Sequence, residues 1–202
     1  NYPLAFENYE YAKNLAMSWG NKSREAISLG LMAFARFHQG QSDVEYFSDS
    51  AYAIAKSTGD DECLVQVLGQ LAYIAGQKDE PLKANLILRE SLEVLNRPTT
   101  LDNLETNKKR FFNLLNLGET EYHLGRFDDG VSVRKQALEL AKEQKNEVWM
   151  GYAHYELGEM HHNVNQCDIA KQHMLEALHL FQNNNCTKDV DAVLSFLKAG
   201  DY

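Results

Sequence analysis

Residues 116–140 read NLGETEYHLGRFDDGVSVRKQALEL, and residues 156–180, ELGEMHHNVNQCDIAKQHMLEALHL, align with them without a gap. Each stretch has the apolar spacing of two helices joined by a turn, which contains Gly125 in residues 116–140 and Asn165 in residues 156–180. Both residue types tolerate the left-handed backbone conformation that often ends a helix. The two stretches therefore predict a repeated hairpin of two helices.

A Leu-Gly pair recurs four times along the chain and marks the predicted repeat. Its glycines are Gly30, Gly69, Gly118 and Gly158, at intervals of 39, 49 and 40 residues. Because glycine lets two helices approach closely, we expect Gly118 and Gly158 to lie where the two helices of their hairpins cross. In the third copy, Ala137 is the expected small residue opposite Gly118.

These residues resemble the tetratricopeptide repeat (TPR) family. The match consists of the Leu-Gly pair, Tyr122 four residues after the glycine, the Gly125-x-aromatic-Asp turn, and the Ala137-Leu138 pair in the second helix. The spacing of about 40 residues is similar to the long variety of the repeat found in signalling proteins. The resemblance implies an all-α, right-handed superhelix of helix hairpins, an α-solenoid with a concave groove.

The apolar periodicity predicts ten helices and a series of repeat units. The helices are expected at about 3–18, 22–38, 43–57, 60–76, 81–96, 102–124, 128–144, 147–164, 168–183 and 188–199. They make one repeat domain over 1–202, with units at about 22–57, 60–96, 102–144 and 147–183 between partial units 1–18 and 187–202. Asp102 with Glu105 predicts a capping box for the sixth helix.

The two ends of the chain fall in the same phase of the repeat. Tyr2 and Tyr202 occupy equivalent turn positions, 200 residues or five periods of 40 apart. We therefore expect the chain to be a fragment of a longer protein that continues in both directions.

The TPR resemblance implies that the first helix of each hairpin lines the groove. We take as the candidate ligand groove Gln66, Gln70, Tyr73, Asn116, Glu119, Tyr122, His123, Tyr152, Tyr155, Glu159 and His162. Further candidates on these helices are Arg24, Ile27, Leu31, Phe34 and Leu115. Tyrosine rings and amides suit a peptide, and the two glutamates favour a basic group on it. The alternative is that the aromatics pack against neighbouring helices and the carboxylates are solvated.

The sequence contains no pattern that predicts a metal site, a cofactor or catalysis. Glu119 with His123 and Glu159 with His162 lie on successive first helices, but their spacing matches no compact metal motif. We interpret His154, His173 and His179 as ordinary helix residues. A phosphate-binding loop, a nucleophile elbow and an H-E-x-x-H motif are all missing, so the sequence predicts that this chain is not an enzyme.

Composition restricts the partners. The 202 residues are 44% apolar and carry a net charge of −9, which argues against nucleic acid. Because the sequence has no apolar run of about 18 residues, we expect no membrane insertion. Cys63, Cys167 and Cys186 form no C-x-x-C pair and predict reduced thiols in the cytoplasm. A periplasmic location stays open if an upstream signal has been removed.

The sequence thus predicts a non-catalytic module that binds a protein or peptide segment, as the sensory or regulatory region of a larger signalling protein. One alternative is the N-terminal sensor of a bacterial diguanylate cyclase (GGDEF), a histidine kinase or a peptide-sensing transcription regulator. Another is a structural, self-associating scaffold, in which incomplete end units form a homodimer through their apolar faces.

Overall fold

The computed structural model describes residues 1–98 and 103–199. In these residues the chain forms ten α-helices and no β-strand: α1 (Tyr2–Ser18), α2 (Lys22–His38), α3 (Val44–Thr58), α4 (Asp61–Gln77), α5 (Pro81–Leu95), α6 (Leu104–His123), α7 (Phe127–Glu143), α8 (Glu147–Asn163), α9 (Cys167–Asn183) and α10 (Thr187–Ala199). All ten predicted helices are confirmed. Among the described residues, no helix has the length and apolar character needed to cross a bilayer.

The first helix of each complete hairpin begins with a short polar cap. The side chains of Asn21, Asp60, Asn103 and Asn146 accept hydrogen bonds from the backbone N–H three residues later. This arrangement satisfies a donor that has no partner within the helix. The predicted cap of α6, Asp102, lies outside the described residues, and the cap that the structure shows there is Asn103.

A residue with positive φ follows most of the helices. These residues are Gly20, Gly40, Gly59, Asp79, Gly125, Lys145, Asn165 and Asn185. The predicted left-handed turns are confirmed, because φ is 76° at Gly125 and 61° at Asn165. Within 1–98 and within 103–199 the spacing of these residues is 19 or 20, so the turns mark single helices as well as hairpins.

The chain divides into two compact units, Asn1–Leu101 and Asp102–Tyr202. In the first unit α2 packs against α1, α3 and α4, and α4 also packs against α3 and α5. In the second unit α6 pairs with α7, α8 packs against α6, α7 and α9, and α10 packs against α9. In each unit, therefore, helices pair as hairpins and the first helices of successive hairpins touch. The single repeat domain over 1–202 stays a prediction.

Each unit has its own apolar core. In the first unit, Leu29 and Met32 of α2 pack with Val67 and Leu68 of α4. In the second, the rings of Phe111 and Trp149 stack with their centroids 5.0 Å apart, beside Ala137 and other buried residues of α7 and α8. Burying these apolar surfaces supplies the main force that holds the helices together.

The predicted close helix crossing is confirmed at Gly118. A Cβ atom on Gly118 would lie 2.5 Å from Cγ of Arg134 and 3.0 Å from the carbonyl oxygen of Gly130, both on α7. Ala137 as the opposite residue was wrong, since it is buried in the core instead. The physical reason is the short turn between α6 and α7, which brings the two helices closest near the turn, where Gly130 and Arg134 lie.

The two Leu-Gly pairs of the first compact unit, at Gly30 and Gly69, do not mark a crossing within a hairpin. Gly69 is exposed, with no atom within 4 Å of the place that a Cβ atom would take, and Gly30 lies against Gln70 of the next hairpin. Gly118 lies five residues before the last residue of α6. Counted in the same way from the ends of α2 and α4, the equivalent residues are Ala33 and Ala72, and both are buried. Alanine is small enough for this packing, so the Leu-Gly spacing gave the wrong register in the first unit.

Candidate functional site

The corrected register shows which side chains occupy equivalent positions on the first helices. The residue that follows the small crossing position is Phe34 in α2, Tyr73 in α4, Glu119 in α6 and Glu159 in α8. This position is therefore aromatic in the first unit and acidic in the second.

In the first unit, Tyr2, Phe34, His38 and Tyr73 form an aromatic cluster. The ring of Tyr2 stacks on His38 with centroids 4.5 Å apart, and Phe34 lies 5.2 Å from Tyr73. The hydroxyl oxygen of Tyr73 is 3.5 Å from Nε2 of His38. Tyr2 and Tyr73 are each 42% exposed, so the cluster offers ring surface to an apolar side chain or a cation.

The other two predicted groove residues of the first unit differ in their surroundings. Gln66 is exposed on α4. Gln70 instead fills the space beside Gly30, where a Cβ atom would collide with its amide, and its Oε1 is buried with no hydrogen-bond partner in the described structure. Gln70 therefore belongs to the contact between α2 and α4 more than to the open face.

In the second unit, three carboxylates, Glu119, Glu156 and Glu159, form an acidic cluster on the first helices. Nη2 of Arg134 lies 2.8 Å from Oε2 of Glu156, and this guanidinium also bonds the Glu156 carbonyl oxygen. Burial raises the pKa of Glu156 to about 6; the charges of Glu159 and Glu119 add to the rise, while Arg134 opposes it. The charges of Glu119 and Glu159 are thus close enough to act on Glu156.

Aromatic side chains border the acidic cluster. The hydroxyl of Tyr155 donates a hydrogen bond to Glu159, and burial together with that carboxylate raises the pKa of Tyr155. Phe196 of α10 lies 6.3 Å from the Tyr155 ring and 5.0 Å from the His162 ring. Phe196 and Glu156 were not predicted as site residues. Phe196 lies in the predicted partial unit 187–202, to which the candidate groove was not extended.

The remaining predicted residues of the second unit fall into two groups. Asn116 and His123 are exposed, and Nε2 of His123 is 3.7 Å from Oε1 of Glu119. Tyr122 is half-buried against the core. Tyr152 lies 5.2 Å from Phe181, and its hydroxyl donates to Oδ1 of Asp189 at 3.3 Å, so it joins α8 to α9 and α10.

Leu115, a further candidate, is buried in the core and is not open to a ligand, which corrects that prediction. It follows the apolar stripe of α6, whose inner side is fixed by the packing of α7 and α8. For metal binding, no group of three His, Cys, Asp or Glu side chains within 1–98 and 103–199 is arranged to hold an ion.

Two histidines that we interpreted as ordinary helix residues form a pair. Nδ1 of His154 on α8 lies 2.9 Å from Nδ1 of His173 on α9, and the ring of His161 stacks on His173 with centroids 5.7 Å apart. Burial lowers the pKa of His154, and it lowers the pKa of His173 to about 4, with His154 and His161 adding to that shift. The pair is therefore neutral near pH 7 and resists protonation.

This pair predicts a loss of stability in acid. Because the folded pKa of His173 is below its ordinary value of 6.5, the unfolded chain binds the proton more readily, and folding weakens as the pH falls from 6.5 towards 4. We expect His173→Gln to remove about 1 kcal/mol of the loss between pH 7 and pH 5, after discounting for solvent screening at a half-buried ring. Urea unfolding of the parent and of His173→Gln at several pH values measures this difference in the free energy of unfolding. Identical pH dependence would contradict the prediction.

Comparison with solved structures identifies the fold. A putative kinesin light chain with nearly identical TPR-like repeats from Podosopora anserina superposes with a TM-score of 0.73 at 13% identity, covering 91% of this chain and 88% of that one. A signal transduction ATPase with a tetratricopeptide repeat sensor from Pyrococcus horikoshii gives 0.74 at 15% identity, covering 85% of this chain and 26% of that one. PlcR from Bacillus thuringiensis, in complex with the peptide PapR7 and DNA, gives 0.65 at 14% identity, covering 94% and 69%.

These structures confirm the TPR resemblance at the level of the fold, an all-α arrangement of TPR-like helix hairpins. No protein-family model matches the sequence, and no curated protein matches it either.

Proposed function

We propose that this chain is a non-catalytic TPR-type module that binds a peptide or protein segment through the open face of its first helices. The observation that carries the proposal is the acidic cluster of Glu119, Glu156 and Glu159 beside the rings of Tyr155 and Phe196. Among the structures with a similar fold, PlcR is in complex with a peptide, and the signal transduction ATPase from Pyrococcus horikoshii contains a tetratricopeptide repeat sensor. These parallels support the proposal.

The charge of the cluster specifies the ligand group. Arg134 is held by Glu156, so it does not offset Glu119, whose side chain is 58% exposed, or Glu159. A lysine or arginine of the ligand would add the missing positive charge. Its approach would also favour the ionised form of Glu156, because an opposite charge lowers the pKa of a carboxyl group.

The neighbouring rings suit the rest of such a side chain. Lysine and arginine have long apolar stems, which pack on aromatic surfaces while the charged end reaches a carboxylate. Tyr155 and Phe196 provide that surface next to Glu159. The aromatic cluster of the first unit offers a different chemistry, suited to an apolar or aromatic residue.

The experiment compares two pools of random heptapeptides, one with a central lysine and one with norleucine at the same place. We expect the lysine pool to be enriched on the immobilised protein, and peptides from it to bind Glu159→Gln about tenfold more weakly, a loss of about 1.4 kcal/mol. Glu139→Gln is the matched control, because Glu139 is exposed on α7 and outside the acidic cluster. Equal enrichment of both pools, or equal binding by Glu159→Gln, would contradict the proposal.

We further propose that the module is the sensory or regulatory region of a cytoplasmic signalling protein. Its output domain would be a diguanylate cyclase (GGDEF), a histidine kinase or a transcription regulator. The long repeat spacing supports this finer assignment, and the full-length gene product tests it directly. A gene product with repeats alone would favour a free adaptor or the self-associating scaffold.

A further inference from the structure

A cavity of about 270 Å³ lies in the first unit, among α3, α4 and α5. None of the residues that line it belongs to the aromatic cluster or the acidic cluster. Its walls come from α3 and α5, and α4 contributes the apolar residues Leu68, Leu71, Ile74 and Ala75. A space of this size is close to the lower end of the range for small-molecule sites.

Polar contacts bridge α3 and α5 at both ends of the cavity. At one end Glu45 binds Lys78 and Lys83, with Oε1–Nζ and Oε2–Nζ distances of 2.5 and 3.0 Å. Hydrogen bonds from Lys78 and Lys83 hold the pKa of Glu45 below its usual range. At the other end Tyr52 donates its hydroxyl proton to Glu90, with oxygen–oxygen distances of 2.9 and 3.0 Å.

The register of these bridges places a carboxylate against an apolar wall. Residues 45 and 83, and residues 52 and 90, are each 38 positions apart, so Asp49 of α3 corresponds to Ile87 of α5. Asp49, Ile87 and the 60% exposed Leu86 all line the cavity. Among the described residues, Asp49 makes no ion pair, although the carboxylates at both ends do.

The two bridges also limit the length of an occupant. Residues 45 and 52 are seven apart on α3, which corresponds to about 10 Å along the helix axis. A peptide helix or an added strand is longer than this and would have to break a bridge. A single short organic chain or ring fits between them.

We propose that this cavity binds a small organic cation, a primary amine on an apolar body up to about 10 Å long. The apolar body lies on Leu68, Leu71 and Ile74, and the ammonium group pairs with Asp49. A carboxylate ligand would meet Asp49 with the same charge, because Lys83 of the lining is already paired with Glu45. A neutral ligand would gain no ion pair from Asp49, which is exposed to solvent. The site is independent of the proposed peptide site, because its residues differ from those of the aromatic and acidic clusters.

The first experiment titrates the intact chain with n-octylammonium, 1-octanol and octanoate, following amide NMR shifts in α3, α4 and α5. We expect saturable binding in the order ammonium, alcohol, carboxylate. Asp49→Asn should weaken n-octylammonium binding about tenfold and leave 1-octanol unchanged, because the apolar contacts remain. Equal affinities for all three probes, or an Asp49→Asn protein that binds n-octylammonium as tightly as the parent, would overturn the proposal.

A second variant tests the location without touching the core. Leu86→Lys places an ammonium group at the exposed wall, where it can pair with Asp49, and should abolish n-octylammonium binding. Leu82→Lys is the matched control, because Leu82 is 56% exposed on the same helix and does not line the cavity. Loss of binding in both variants, or in neither, places the amine elsewhere and overturns the proposal. Self-association of the chain through this face, with loss of n-octylammonium binding, would also overturn the proposal.

Discussion

Replacing Arg134 with methionine lowers the free energy of unfolding by about 3 kcal/mol at pH 8, because the substitution leaves the partly buried carboxylate of Glu156 without its partner. The Arg134 side chain is 6% exposed and bound to Glu156. Methionine suits the space that the Arg134 side chain fills beside Gly118. In the next hairpin the equivalent residue is a methionine, Met174, which packs against Gly158. The loss therefore measures the missing charge more than a packing defect.

The dependence on pH separates this explanation from a general loss of packing. Glu156 has a folded pKa of about 6, above its ordinary value of 4.5, so the folded chain holds the proton more tightly and stability falls as the pH rises through 6. Without Arg134 this pKa rises further. At pH 5 the carboxyl group of the variant is already neutral in the folded chain, so the loss should be below 1 kcal/mol.

Urea unfolding of both proteins at pH 5 and pH 8 is the measurement. The double variant Arg134→Met with Glu156→Gln is the control, because it removes both charges, and it should stay within about 1 kcal/mol of the parent at both pH values. The prediction fails if the single variant loses the same free energy at pH 5 as at pH 8.

Replacing Gly118 with valine lowers the free energy of unfolding by about 3 kcal/mol, at the upper end of what overpacking costs. A Cβ atom there would lie 3.0 Å from the carbonyl oxygen of Gly130 and 2.5 Å from Cγ of Arg134. The first contact is with backbone, so relief requires α6 and α7 to separate. The second contact is with Arg134 itself, so valine would also disturb the side chain that binds Glu156.

Gly69 supplies the matched control, because the same Leu-Gly pair occurs there in a different environment. It is exposed within α4, and nothing lies within 4 Å of an added Cβ atom. Gly69→Ala should stabilise the chain by about 0.5 kcal/mol, since alanine has the higher helix propensity. Thermal and urea unfolding of the two variants should give opposite signs, and a destabilised Gly69→Ala protein would contradict the corrected register.

The helices were predictable because their signals are local. The spacing of apolar residues, Pro81 at the start of α5 and the turn residues Gly125 and Asn165 all act within a few positions of the chain. Asn103 could have been recognised as the cap of α6 on the same grounds. The prediction chose Asp102, one residue away, because both residue types suit a cap.

The open face was less predictable because it depends on contacts distant in sequence. Tyr155 and Tyr152 are three residues apart on α8, yet Tyr155 borders the acidic cluster and Tyr152 is bonded to Asp189 of α10. Likewise Gln70 belongs to the α2–α4 contact because Gly30 leaves room for it. Nothing near these residues in the sequence distinguishes the two outcomes.

The sequence by itself determined that this protein is a series of helix hairpins repeated about every 40 residues, since periodicity and turn chemistry are properties of short segments. Only the tertiary structure decided which side chains form the acidic cluster, the histidine pair and the cavity among α3, α4 and α5. The reason is geometric: successive residues of a helix point about 100° apart, and only the position of the neighbouring helix determines which of those directions is covered and which stays open.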